Sequence, residues 1–319
     1  MQNRGIVFMG TPEFAVASLK AITDAGFDVK AVVTAPDKPS GRGLQLHSSP
    51  VKEFALEKGL PVLQPVKLKD PEFLQALKNF KPALQVVVAF RMLPEEVWSL
   101  PPLGTFNLHA SLLPQYRGAA PINHAVMNGE TKTGVTTFFI NHEIDKGALI
   151  SSSETPIGEN ESAGEVHDRL MEIGSDLVVE TIRNIFSGKI KPVDQILVKT
   201  EVPLKAAPKI FREECRINWN QGIDTIHNFI RGLSPHPAAW TDLLTPTGEK
   251  LNFKIFRAVR LRDSHSLRPG ELVTDKKTFV KVAARDGFMQ LYRVQLQGKK
   301  QLDIEDFLRG FDLNNCRLT

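Results

Sequence analysis

The run ALQVVVAF at residues 83–90 constrains this chain most tightly. It is apolar at successive positions, broken only by Gln85. An alternating strand can leave one face to water. A strand apolar on both faces must be covered on both, as in a parallel sheet with helices on each side. The neighbouring segments fit such a sheet. GIVFMG (5–10) and VKAVVTA (29–35) are short apolar runs with a helical stretch between them. Thr11 is expected to cap that helix, with Pro12 at its first position, Glu13 in its first turn and an end near Gly26. Phe14, Ala17, Ala21 and Ala25 recur at three- to four-residue spacing and are expected to form its inner face. SPVKEFALEKG (49–59) reads as a second helix, residues 104–109 as another strand, and GVTTFFINH with ALISSS as two more. Residues 164–188 form a long amphipathic helix ending at Gly188. This alternation predicts an α/β domain with a mostly parallel sheet over residues 1–188.

After Gly188 the pattern changes. Residues 189–207 hold several lysines and prolines with little helical periodicity, and read as a linker. Residues 208–319 offer one helix, GIDTIHNFIRGL, then short strands separated by turns, which predicts a small β-barrel. Two domains suit a chain of 319 residues, because single cores stop growing efficiently near this size. The net charge of +4 is unevenly shared. Residues 1–190 carry 18 Lys and Arg against 21 Asp and Glu, a balance of −3. Residues 191–319 carry 22 against 15, a balance of +7. The basic half is either a solvated surface or a module that meets a polyanion such as a nucleic acid. No apolar run reaches the roughly 18–20 residues of a membrane span, so no membrane partner is expected. The N-terminus lacks a signal-peptide pattern. Cys215 and Cys316 are too few for a disulfide framework, which points to a reducing, cytoplasmic setting.

The stretch GTFNLHASLLPQYRGAAP (104–121) carries the chemistry. Side chains two apart on a strand share a face, so Asn107 and His109 point one way while Phe106 and Leu108 point the other. Ligands of open α/β sheets bind at the carboxyl ends of the strands. There an amide donor beside an imidazole suits proton transfer and charge stabilisation. Either residue alone reads as easily as a satisfied polar group at a strand end. The pair, followed by the tight loop Ser111-Leu112-Leu113-Pro114, points to catalysis. Asp145, in a turn before Gly147, could orient the imidazole, although an aspartate in a turn is most often structural.

These residues resemble the Asn…His…Asp constellation and S-L-L-P loop of the 10-formyltetrahydrofolate-dependent formyltransferases. VFMGTPEFAVASL, TAPDKPSGRG, SPVKEFA, HASLLPQYRGAAPI and AAPKIFREECRINW, in order, resemble successive signatures of the methionyl-tRNA formyltransferase family. The resemblance implies a Rossmann-like catalytic domain and an OB-like C-terminal barrel. It implies formyl transfer from 10-formyltetrahydrofolate to initiator methionyl-tRNA, with Asn107, His109 and Asp145 as catalytic residues and no metal. Ser111, Leu112, Leu113 and Pro114 would contact the folate, and Ala89, Phe90 and Arg91 would form the opposite wall. Arg91 stands where the family usually has a glycine. The loop 35–50 would reach the tRNA acceptor end through Arg42, with Leu44 and Gln45 where relatives often have lysines. In KLNFKIFRAVRLR, strict alternation puts Lys254, Phe256, Ala258, Arg260 and Arg262 on one face. Lys254, Arg260 and Arg262 are the expected tRNA contacts there, or else ordinary surface residues. The chain is read as a monomer.

Other classes fit less well. GTPEF offers one glycine rather than G-x-G-x-x-G, which argues against a dinucleotide-dependent dehydrogenase, and GRGLQL lacks the Lys-Ser/Thr pair of a P-loop. A zinc site from His109, His142 and Asp145 would have no ligand pair on a helix or tight knuckle. A non-catalytic RNA-binding protein leaves the Asn107–His109 cluster unexplained. A formyltransferase acting on a sugar nucleotide or small amine would have no use for the Arg42 loop or the basic barrel.

Overall fold

The computed structural model describes residues 3–40, 45–200 and 202–319. They form two compact units that interleave along the sequence. The first comprises Met1–Gly118, Gly134–Thr155 and His167–Ala206, and the second Ala119–Thr133, Pro156–Val166 and Ala207–Thr319. These spans differ from the contiguous 1–188, 189–207 and 208–319. Residues 189–206 pack into the first unit, and residues 119–133 and 156–166 into the second. Packing partners were not visible in composition, which only marks where regular structure stops.

The first unit is built on strands β1 (Ile6–Gly10), β2 (Val29–Val33), β3 (Val62–Leu63), β4 (Leu84–Val88), β5 (Thr105–His109), β6 (Lys132–Phe139) and β7 (Leu149–Pro156). Their order in the sheet is β7-β6-β5-β4-β1-β2-β3. β1 runs parallel to β2 and β4, β2 to β3, and β4 to β5, while β6 pairs antiparallel with β5. The continuous apolar run behaves as expected. Leu84, Gln85, Val86, Val87 and Val88 are all buried. Helices α1 (Glu13–Asp24), α2 (Pro50–Glu57) and α3 (Pro71–Asn79) join the parallel strands. Ser49 caps α2 by accepting from the Lys52 amide, and Asp70 caps α3 by accepting from Glu72.

Helix α1 departs from expectation in two ways. Its N-cap is Pro12 with no side-chain cap, because extended Pro12 leaves Thr11 one residue too early. Its buried face is Phe14, Ala15, Ser18, Leu19 and Ile22 rather than the alanine series. Leu19 and Ile22 bring more apolar area than Ala21 and Ala25, so the helix turns them inward.

The second unit holds α4 (Pro121–Met127), α5 (Ile223–Leu233) and the strands β8 (Ala239–Leu244), β9 (Lys250–Leu261), β10 (Leu272–Thr274), β11 (Val280–Ala284), β12 (Gly287–Leu296) and β13 (Arg317–Leu318). The antiparallel sheet runs β10-β11-β12-β9-β8-β13. Its ends approach through a Glu271–Arg317 bridge and a 2.9 Å bond from Leu318 N–H to Gly270 O, which nearly closes a barrel. Ile223, Ile226, Ile230 and Leu233 of α5 are buried in one cluster with Phe253, Ile255, Val282 and Met289 of the barrel. α4 lies against α5 at Gly232, where a Cβ would fall 2.7 Å from Met127 N. Among the described residues no helix is long and apolar enough to cross a membrane.

Candidate active site

β5 ends at the carboxyl edge of the parallel strands and carries the two residues singled out above. Phe106 and Leu108 are buried, Asn107 is half-buried and His109 is 6% exposed. Opposite them on β6, Phe138 pairs with Asn107 and Thr136 with His109. The Asn107 carboxamide makes no side-chain hydrogen bond to the described residues and is available to a ligand.

His109 is held from one side. Its Nε2 lies 2.9 Å from the Tyr116 carbonyl oxygen. A carbonyl only accepts, so Nε2 carries the hydrogen and Nδ1 is left to gain or lose a proton. The Asp145 carboxylate lies on that free side, its Oδ2 3.9 Å from Nδ1. This is an ion-pair separation rather than a hydrogen bond. The Tyr116 carbonyl fixes the ring, and the Asp145 carboxylate lies beside its other nitrogen. The hydrogen bond that orients the imidazole in this structure is the one made to the Tyr116 carbonyl.

Asp145 is itself tightly placed. Its Oδ2 accepts from Gly118 N–H at 2.9 Å, and its backbone is left-handed, with φ 53°. The turn is held from behind by Gln195, whose Nε2 donates to Asp145 O and Gly147 O.

The Ser111–Pro114 loop is pinned to the same face. Thr136 Oγ1 donates to Ser111 O at 2.7 Å and accepts from Leu113 N–H at 3.2 Å. Ser111 Oγ donates to Gln115 O at 2.6 Å. Ser111, Leu113 and Pro114 are buried and Leu112 is half-buried. Past β4, Ala89 is left-handed with φ 46°. Arg91 donates to Val66 O at 2.8 Å and to Pro65 O, and its guanidinium lies 5.6 Å from the Phe90 ring centre. Arg91 therefore ties two loops together, in place of the open step a glycine would give.

The expected tRNA contacts fare differently. Arg42 and Leu44 lie outside the described residues. On β9, irregular pairing around Arg257 shifts the register. Two successive shifts, between Ile255 and Arg257 and between Arg257 and Ala258, cancel in the pairing with β12 but invert the alternation on β9, so Ala258 is buried like Phe253 and Ile255 rather than sharing the face of Lys254. Arg260 consequently turns inward and donates to Asp224 at 2.7 Å and to Glu159, and Arg262 donates to both Asp224 oxygens at 3.0 Å. The Arg260 hydrogen bond, the largest cause, and Arg262 hold the Asp224 carboxyl below the usual carboxylate range. Lys254 and Arg257 have no carboxylate within ion-pair distance among the described residues, and Arg257 lies 5.7 Å over the Tyr292 ring. The single-face reading of Lys254, Phe256, Ala258, Arg260 and Arg262 is corrected by this bulge.

Comparison with known proteins sorts these features. The formyl transferase model matches residues 3–182, and the formyl transferase C-terminal domain model matches residues 209–312. A methionyl-tRNA formyltransferase of Bacteroides fragilis is 54% identical over 98% of this chain and 96% of its own. This chain belongs to the methionyl-tRNA formyltransferase family. The Flavobacterium johnsoniae member is 50% identical over 99% of this chain and 98% of its own. The same fold recurs in an N-formyltransferase from Helicobacter canadensis in complex with folinic acid and dTDP-3-aminofucose. It has a TM-score of 0.62 at 19% identity and covers 93% of this chain and 99% of that one. HypX from Aquifex aeolicus in complex with tetrahydrofolic acid gives a TM-score of 0.63 at 21% identity, covering 96% of this chain and 47% of that one.

Within this formyltransferase, Tyr116, Thr136 and Gln195 were not foreseen from the sequence. Tyr116 meets His109 through its backbone carbonyl, and Thr136 reads as one of four β-branched residues in its strand. Gln195 lies in a segment without periodicity. A buried amide in so polar a stretch leaves no mark in a linear pattern.

Proposed function

We propose that this protein transfers the formyl group of 10-formyltetrahydrofolate to the amino group of initiator methionyl-tRNA, in the cytoplasm. The observation that carries the reading is Asn107, His109 and Asp145 gathered at one strand end, in a chain that matches the methionyl-tRNA enzymes along nearly its whole length. The methionyl amine attacks the formyl carbon, and the new C–N bond forms as the carbonyl oxygen takes the negative charge. Asn107 Nδ2 donates to that oxyanion. Preorganised donors of this kind typically contribute about 100- to 1000-fold in rate. His109 Nδ1 accepts the proton of the attacking amine, and the neighbouring Asp145 carboxylate stabilises the imidazolium so formed. The proton then passes to the departing folate nitrogen as its bond to the formyl carbon breaks. Ser111–Pro114 would supply backbone groups to the pterin and Leu112 an apolar cover, with Ala89–Arg91 as the facing wall.

The first unit would thus bind the folate and the second the tRNA. Lys254 and Arg257, with Tyr292 beside them, offer uncompensated charge and an aromatic face to a phosphate backbone. Arg260 and Arg262 are neutralised by Asp224 and Glu159 and hold the unit together instead. Arg42 remains the proposed contact to the acceptor end. The test is formylation of methionyl-tRNA, free methionine and a dTDP-amino sugar with labelled donor. Strong preference for the charged tRNA is expected, and comparable rates on either small amine would refute the assignment.

A further inference from the structure

Gln195 is 4% exposed, whereas the next two residues, Ile196 and Leu197, are 86% and 71% exposed. A short 3-10 turn, opened by the Asp194 cap, drives this one polar side chain inward. Its Nε2 donates to Asp145 O at 2.9 Å and Gly147 O at 2.8 Å, and its Oε1 accepts from Arg117 Nε at 3.0 Å and Nη2 at 2.6 Å. Carbonyls only accept and a guanidinium only donates, so the partners fix which way the amide points.

The turn it grips needs holding. Asp145 is a non-glycine residue in the left-handed region, a conformation that persists where the surroundings enforce it. Gly147 passes so close to Phe139 that a Cβ would fall 1.6 Å from its carbonyl oxygen. Arg117, the other partner of Gln195, directly precedes Gly118, whose N–H binds the Asp145 carboxylate. One side chain therefore grips the backbone behind Asp145 and the residue beside its front donor.

We propose that Gln195 is a positioning residue for formyl transfer, setting the distance between the Asp145 carboxylate and His109 Nδ1. The inference rests on the reading of Asp145 as part of the reacting group. Gln195→Glu keeps the size and the acceptors for Arg117 but loses both donors to the turn. Misplacing a reacting group by about 1 Å can cost on the order of 100-fold. The expected outcome is a kcat lower by about 10- to 100-fold, with KM for methionyl-tRNA and 10-formyltetrahydrofolate within about twofold of wild type. In an Asp145→Asn background the same change should cost less than about twofold, because losses through one shared group do not multiply. Gln195→Met, run through the same cycle, guards against an effect of the added charge. Full multiplication in the double variants would overturn the proposal, as would wild-type kcat in Gln195→Glu beside a crippled Asp145→Asn. Failure of both Gln195 variants to fold would overturn it too, by making the residue a support of the fold. Near-normal turnover in Asp145→Asn would instead sink the underlying site reading.

Discussion

Thr136→Val exchanges one buried hydroxyl for a methyl group of nearly the same shape. Thr136 is 1% exposed, and its Oγ1 serves two backbone groups of the proposed folate loop, Ser111 O and Leu113 N–H. The substitution leaves both without that partner in a buried setting, at about 1–3 kcal/mol each. The added methyl returns roughly 0.8 kcal/mol of apolar burial. The net loss is therefore about 1–5 kcal/mol, large against a typical domain stability of about 5–15 kcal/mol. The loop should also loosen, since two of its backbone groups lose their partner on β6. Urea denaturation measures the first effect, and KM for 10-formyltetrahydrofolate the second, with a rise of several-fold expected. Thr137→Val is the control. Thr137 lies on the opposite face, where its hydroxyl meets Thr181 at 2.9 Å. It should lose about 1 kcal/mol and leave the folate KM unchanged. A Thr136→Val protein within about 0.5 kcal/mol of wild type would refute the bookkeeping. A destabilised one with normal KM would detach the loop from folate binding.

His109→Ala and Asp145→Asn should each lower kcat by about 100-fold or more in protein that still folds; near-wild-type turnover in either removes that residue from the mechanism. Lys254→Ala and Arg257→Ala should each flatten the salt dependence of tRNA binding by about 0.7–0.9 in the log–log slope if each meets one phosphate. Arg260→Ala should instead lower the unfolding midpoint, because it removes the partner of Glu159 and one of the two guanidinium partners of Asp224. A slope changed only by Arg260→Ala would reverse this assignment. Burial, then the charges of Arg260 and Arg231, push the His227 imidazole down to about 4. Its folded form stays neutral where the unfolded chain takes up a proton, so stability is full above about pH 6.5 and falls toward pH 4, by at most about 1.4 kcal/mol per unit. Denaturation at pH 7 and pH 5 should show this loss, and His227→Phe should lack it. An equal loss in both proteins would place the titration elsewhere.

Much of this protein is decided within short stretches of chain. The apolar run Leu84–Val88 can be satisfied only between two covering layers, so it sits at the centre of a parallel sheet. The period of two puts Asn107 and His109 on one face of β5, whatever the rest of the chain does. Those properties are local because side-chain direction follows from backbone geometry alone. The family signatures, each a contiguous motif, carried the activity for the same reason.

Tertiary structure decided what depends on distance across the sequence. It brought Asp145 to His109, and it assigned the free nitrogen of the imidazole through a backbone carbonyl that has no side-chain signature. It turned Gln195, in a stretch read as linker, into a buried clamp 50 residues away from the turn it holds. On β9 irregular pairing around Arg257 reversed the alternation and turned Arg260 from a free surface cation into the partner of Asp224 and Glu159. Bulges, carbonyl partners and long-range amide bonds are settled by which segments pack together. Periodicity describes one segment at a time, and so it ends where these contacts begin.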